Sequence, residues 1–89
     1  MGDGDRTRTT TAEDRTIEAA VLRQLLALHP AQLTLAELVR EVAGEEPDFG
    51  ERDAVERAVR QLGAAGITHR NGDLVLPSRT ALRVDELLE

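Results

Sequence analysis

From Ile17 to Leu28 the apolar residues return every three or four positions, as Ile17, Ala20, Val21, Leu25 and Leu28, with Leu22 and Leu26 beside them. That period places them on one side of an α-helix, so the first predicted element is an amphipathic helix with a broad buried face. Thr10 and Glu13 stand ahead of it in capping-box spacing, with Thr11 and Asp14 as an alternative frame, and acids in a first turn suit the positive end of the helix dipole. Pro30 stops the helix and biases His29 away from α backbone. The opening stretch MGDGDRTRTT holds no apolar residue after Met1. With nothing to bury, residues 1–10 are expected to form a disordered tail, which leaves residues 11–89 as one domain.

A second stripe, Leu35, Leu38, Val39 and Val42, follows Thr34 and predicts a helix to about Ala43. Thr34 with Glu37 makes another capping box, Leu33 can pack on Leu38 as a hydrophobic staple, and Gly44 offers a left-handed cap. The segment AQLT (31–34) is too short for a helix and is expected as a single short strand. EEPDFG (45–50) reads as a loop whose Phe49 plugs the core, and Asp48 with Glu51 gives a third capping pair. Ala54, Val55, Ala58, Val59 and Leu62 then mark a helix from about Glu51 to Ala64, ended by Gly66.

THRNGDLVLP (68–77) changes the period to that of strands. Asn71-Gly72 is a strong hairpin signal, because both central positions of a type I′ turn need positive φ. Such a turn sets Arg70 against Asp73, His69 against Leu74, Thr68 against Val75 and Ile67 against Leu76. Ile67, His69, Leu74 and Leu76 would then face the core. After Pro77, Ser78 caps a last helix in which Ala81, Val84 and Leu88 share a stripe beside Leu87; alternation of Leu82 and Val84 is a weaker strand reading.

Composition narrows the picture further. At 89 residues there is one core, and folding buries only about 60% of the unfolded surface. The lack of cysteine leaves no disulfide and no cysteine-based zinc site, which suits a reducing cytoplasm. No apolar leader and no run near the roughly 20 residues of a membrane span is visible, so a cytoplasmic protein without a membrane partner is expected. Phe49 is the only aromatic residue, which removes the usual base-stacking route to single-stranded nucleic acid. The net charge of −6 is uneven. Residues 1–51 carry five arginines and eleven acids, residues 52–83 six arginines and three acids, and residues 84–89 three acids. A polyanion would have to meet the middle block, which is +3.

Helix, short strand, helix, helix, hairpin and final helix is an order that resembles the winged helix-turn-helix superfamily from about residue 12 to residue 88. The parts that carry the resemblance are TLAELVREVAG (34–44) as the support helix, ERDAVERAVRQLGAAGI (51–67) in the recognition position and THRNGDLVLP as the wing. The resemblance implies an α+β fold with a three-helix core, a two-stranded wing hairpin and a C-terminal helix. It also implies a transcription-regulator type of protein that binds double-stranded DNA, with the third helix in the major groove and the wing on the backbone. The residues that would do this are Arg52, Arg57 and Arg60 on the third helix and His69 and Arg70 on the wing. One departure is the seven-residue link from Gly44 to Gly50, longer than the three or four of a tight helix-turn-helix.

Each of these groups has a plainer use. Asp53 with Arg57 and Glu56 with Arg60 are i, i+4 pairs with the acid first, each worth about 0.2–0.5 kcal/mol. Against that, a bidentate arginine–base contact discriminates by about 1–3 kcal/mol. Arg70 facing Asp73 would pair there, and His69 would fill space beside Leu74. The alternative function is therefore a protein-docking adaptor on the same fold, without DNA. Leu87 and Leu88 cannot easily share one core stripe, so either they cover the edge of the first helix or one of them packs on a second copy in a homodimer. No catalysis, cofactor or metal is expected. His29 and His69 lie forty residues apart, and no phosphate loop or HExxH spacing occurs. Ser78 is better placed as a cap than as a nucleophile, and Asp3-Gly4-Asp5 lacks the EF-hand glycine because Arg8 holds its position.

Overall fold

The computed structural model describes the backbone from Gly2 to Glu89 and the side chains from Ala12 onward. The order is α1 (Gly2–Leu28), β1 (Leu33–Thr34), α2 (Leu35–Ala43), α3 (Phe49–Ala64), β2 (Thr68–Asn71), β3 (Leu74–Pro77) and α4 (Arg79–Leu88). This is an α+β fold of four helices and a three-stranded antiparallel sheet. The side chains of residues 1–11, on which the tail expected over residues 1–10 falls, lie outside the described residues, but the helical backbone runs through Thr10 and Thr11, so neither of the capping frames expected there starts α1. Helical backbone is assigned from Gly2, ahead of the start expected near Thr10.

The core forms where three amphipathic stripes and the sheet meet. Val21 and Leu25 of α1, Leu38 and Val39 of α2, and Val55, Ala58, Val59 and Leu62 of α3 are buried together with Leu33 and Val75 of the sheet. Ile17, Leu35, Val42 and Ile67 close its rim. The helix starts are set by reciprocal caps, as the spacing predicts. The Thr34 hydroxyl accepts the Glu37 N–H at 3.1 Å, while the Glu37 carboxylate accepts the Thr34 N–H at 2.9 Å. Asp48 and Glu51 repeat the arrangement at the start of α3, at 2.7 and 3.0 Å. At the far end of α3, Ile67 N–H donates to Leu62 O at 2.9 Å and Gly66 N–H to Gly63 O at 3.0 Å, with Gly66 at φ 77°. That is a Schellman ending, and it presses Ile67 back onto the core.

Two expectations are corrected here. The capping box begins α3 at Phe49 rather than Glu51, so the link from α2 is Gly44–Asp48, and the position of Phe49 follows from helical phase. At about 100° per residue Phe49 points roughly 130° away from the Val55–Leu62 face. It is 84% exposed instead of plugging the core.

The hairpin register is the second correction. Asn71 pairs with Leu74, Arg70 with Val75, His69 with Leu76 and Thr68 with Pro77. Among the described residues no non-glycine residue has positive φ, and Gly72 has φ 62°. The tight turn is therefore Gly72-Asp73 with glycine first, the preference of a type II′ turn rather than I′. The shift exchanges the faces: Thr68, Val75 and Pro77 turn inward, while His69 is exposed and Leu74 and Leu76 are half-buried. β3 lies between the other strands, with β1 pairing Leu33 to Val75 and Thr34 to Leu74. Beyond it, the Leu35 N–H donates to Asp73 O at 2.9 Å and the Ser78 N–H to Ile67 O at 2.8 Å.

Ser78 caps α4 by accepting the Ala81 N–H at 3.1 Å, which settles the final segment as a helix. Its apolar stripe is not used by the core. Ala81 is buried, but Val84, Leu87 and Leu88 are 47, 66 and 80% exposed, so both leucines stay largely uncovered. Among the described residues, no helix is long and apolar enough to cross a membrane.

Candidate functional site

The five residues singled out from sequence lie on α3 and the hairpin, but they do not share one setting. Arg57 is half-buried between helices. Its Nη1 donates to Asp53 at 2.9 Å along α3, and its Nη2 donates to Asp14 of α1 at 3.1 Å. The hydrogen bond and charge of Asp14 come first, and those of Asp53 second, in raising the Arg57 pKa above its ordinary value. This guanidinium therefore joins α1 to α3. Sequence spacing revealed the Asp53 half of the arrangement and not the Asp14 half, because a partner 43 residues away leaves no local signal.

Arg60 is exposed, and no ion pair joins it to Glu56 among the described residues. Arg52 lies roughly 140° around α3 from Arg57 at about 100° per residue, on the side facing α2. There it lines a groove of about 510 Å³ with Leu35, Val39, Arg40, Glu45 and Glu56. Two arginines and two glutamates on that lining balance one another. On the hairpin Arg70 does not oppose Asp73; it stands across from Val75, and its Nη2 donates to Gly72 O at 3.2 Å. His69 lies on the opposite face of the strand and is exposed rather than packed as a filler.

The acids decide the character of this surface. The N-terminal end of α3 is its capping end, with Asp48 and Glu51 held on the backbone N–H groups there. Glu45 and Glu46 are exposed in the link just before it, and Asp53 follows within the next turn. Around the α3 axis Glu56 falls between Arg52 and Arg60. The cations are thus interleaved with carboxylates instead of forming a continuous strip.

Two apolar features escaped the sequence reading or were given another use by it. Phe49 stands exposed at the start of α3, and the Val84, Leu87 and Leu88 stripe lies open on α4. The phase set by the Asp48 cap carried the signal for Phe49. The adjacency of Leu87 and Leu88 was the signal for α4. No group of three or more His, Cys, Asp or Glu side chains is placed to hold a metal ion among the described residues. Comparison with protein-family models, with curated proteins and with solved structures finds no match to this chain.

Proposed function

We propose that this chain is a non-catalytic winged-helix domain whose partner is a protein rather than duplex DNA. The winged-helix reading is supported by the element order and by a two-residue β1 that joins the hairpin into one small sheet. The docking reading is carried by one observation: the end of α3 that would enter a groove is sheathed in carboxylates, while Arg57 behind it is bound to Asp14 and Asp53. A recognition helix reads bases mainly through its N-terminal residues. Here those residues would bring Asp48, Glu51 and Asp53 against phosphates, which costs Coulomb energy on every approach. Exposed Phe49 and the open α4 stripe are the groups a protein partner would cover. The cysteine-free composition suits work in a reducing cytoplasm.

Duplex binding remains the second reading because Arg52, Arg60 and Arg70 are exposed and enter no ion pair among the described residues. The two readings separate in a fluorescence-anisotropy titration of labelled duplex against salt. The docking reading expects no saturable binding at about 50 mM salt. Saturable binding whose log K falls with log salt by about 0.9 per phosphate contact, and which is lost in an Arg52→Ala, Arg60→Ala, Arg70→Ala variant, would overturn it.

A further inference from the structure

We propose that Asn71-Gly72, at the tip of the hairpin, is a self-modification site: in the folded protein the Asn71 carboxamide closes on the Gly72 nitrogen, and residue 71 becomes aspartate or isoaspartate, loosening the hold of the hairpin on α2. This stands apart from either partner reading. Asn71 is the chain's only asparagine, and it is exposed. Asparagine is thermolabile because its carboxamide reacts with the backbone nitrogen that follows it.

That reaction needs a carboxamide free to turn, a nitrogen without a competing bond and room for a ring. The hairpin supplies all three. Arg70 Nη2 donates to Gly72 O at 3.2 Å and so passes the Asn71 side chain by. Among the described residues no hydrogen bond holds the Asn71 carboxamide, and the Gly72 N–H donates to no backbone or side-chain acceptor. Gly72 has no Cβ to shield its nitrogen, and apart from its chain neighbours nothing lies within 4 Å of where a Cβ would stand. The backbone of Asn71 is paired with Leu74, so ring closure requires that pair to open. It is the outermost pair of the hairpin, and tips of this kind open at far lower free energy than the whole fold.

Solvent water and hydroxide complete the balance. Hydroxide takes the Gly72 N–H proton, the nitrogen attacks Asn71 Cγ, and a five-membered succinimide forms as the Cγ–N bond of the carboxamide breaks and ammonia leaves with a proton from water. Water then adds to one ring carbonyl. Cleavage at Cγ gives aspartate in an ordinary backbone, and cleavage at the main-chain carbonyl gives isoaspartate, with the chain routed through Cβ. Both products place a new carboxylate near Asp73. Isoaspartate also lengthens the chain by one carbon just before Gly72, which takes residue 71 out of register with Leu74. The next carbonyl but one, Asp73 O, is the acceptor of the Leu35 N–H at 2.9 Å, so the shift reaches the start of α2.

Mass spectrometry of the full chain, incubated native and in urea in one buffer, follows the conversion of amide to acid, and peptide fragmentation assigns it to residue 71. Native conversion is expected to lag the unfolded chain by less than about a hundredfold, whereas chemistry that waits on global unfolding would lag by about ten-thousandfold or more. Leu38→Ala, which raises the unfolded fraction, should leave the native rate unchanged, and Asn71→Gln should abolish the conversion. In the isoaspartate fraction, separated by ion exchange, the Leu35 amide should take up deuterium at least about tenfold faster than in freshly purified Asn71→Asp, which carries the charge on an ordinary backbone. A lag beyond a hundredfold, a rate that rises in Leu38→Ala in step with the lost stability, or equal Leu35 exchange in the two forms overturns the proposal.

Discussion

At the scale of single residues, the clearest couplings are those between a side chain and a helix start. The Glu37 carboxylate receives the Thr34 N–H and lies near Arg40, and the hydrogen bonds with Thr34 hold its pKa below the ordinary glutamate range. A group whose folded pKa is depressed stabilises the fold above its unfolded pKa and loses that contribution as pH falls through the folded value. Urea midpoints of wild type and Glu37→Gln should therefore differ by a constant amount near neutrality and converge under acid. A gap that persists at the lowest pH would show that the carboxylate charge is not what Glu37 contributes. The hydroxyl beside it is testable separately: Thr34→Ala should cost about 1 kcal/mol at every pH, read from the same urea curves. Both caps were legible in the sequence because they are local. The Asp14–Arg57 pair was not, since its partners meet only after α1 and α3 have packed.

Among the elements, the helices were read well and the hairpin was not. Three consecutive apolar residues, Leu74, Val75 and Leu76, give alternation nothing to choose between, so the face had to be inferred from the turn. The turn then fell one residue later than Asn71-Gly72 implies, and Val75 became the buried member at 1% exposure. Substitution distinguishes the two turns. Gly72→Ala forces a side chain onto φ 62° and should cost about 1–3 kcal/mol in thermal or urea unfolding. Asn71→Ala should cost much less, because Asn71 is not at positive φ here; equal losses would restore the type I′ turn. The same limits explain the candidate site. Arg52, Arg57 and Arg60 were correctly placed away from the core face, yet phase on one helix says nothing about which neighbour stands opposite. The capping spacing at Asp48 held the information that turns Phe49 outward, and it was outweighed by the expectation that a lone aromatic is buried.

For the molecule as a whole, the buried core is aliphatic. Leu38 is fully buried where α2 meets the other core elements, so Leu38→Ala should cost about 2–5 kcal/mol in urea unfolding. That is a large share of the roughly 5–15 kcal/mol available to a small domain. A loss below about 1 kcal/mol would mean that the core is looser than its geometry. The hairpin has a further role in this economy of contacts. Its turn carbonyl at Asp73 receives the first amide of α2, and its base is fastened where Ser78 N–H meets Ile67 O. Fastened fore and aft, it behaves as a brace and not as an arm that swings. Reorienting it would unlatch Leu35, and with it the opening turn of α2, so any partner that grips the hairpin pulls on the middle of the molecule.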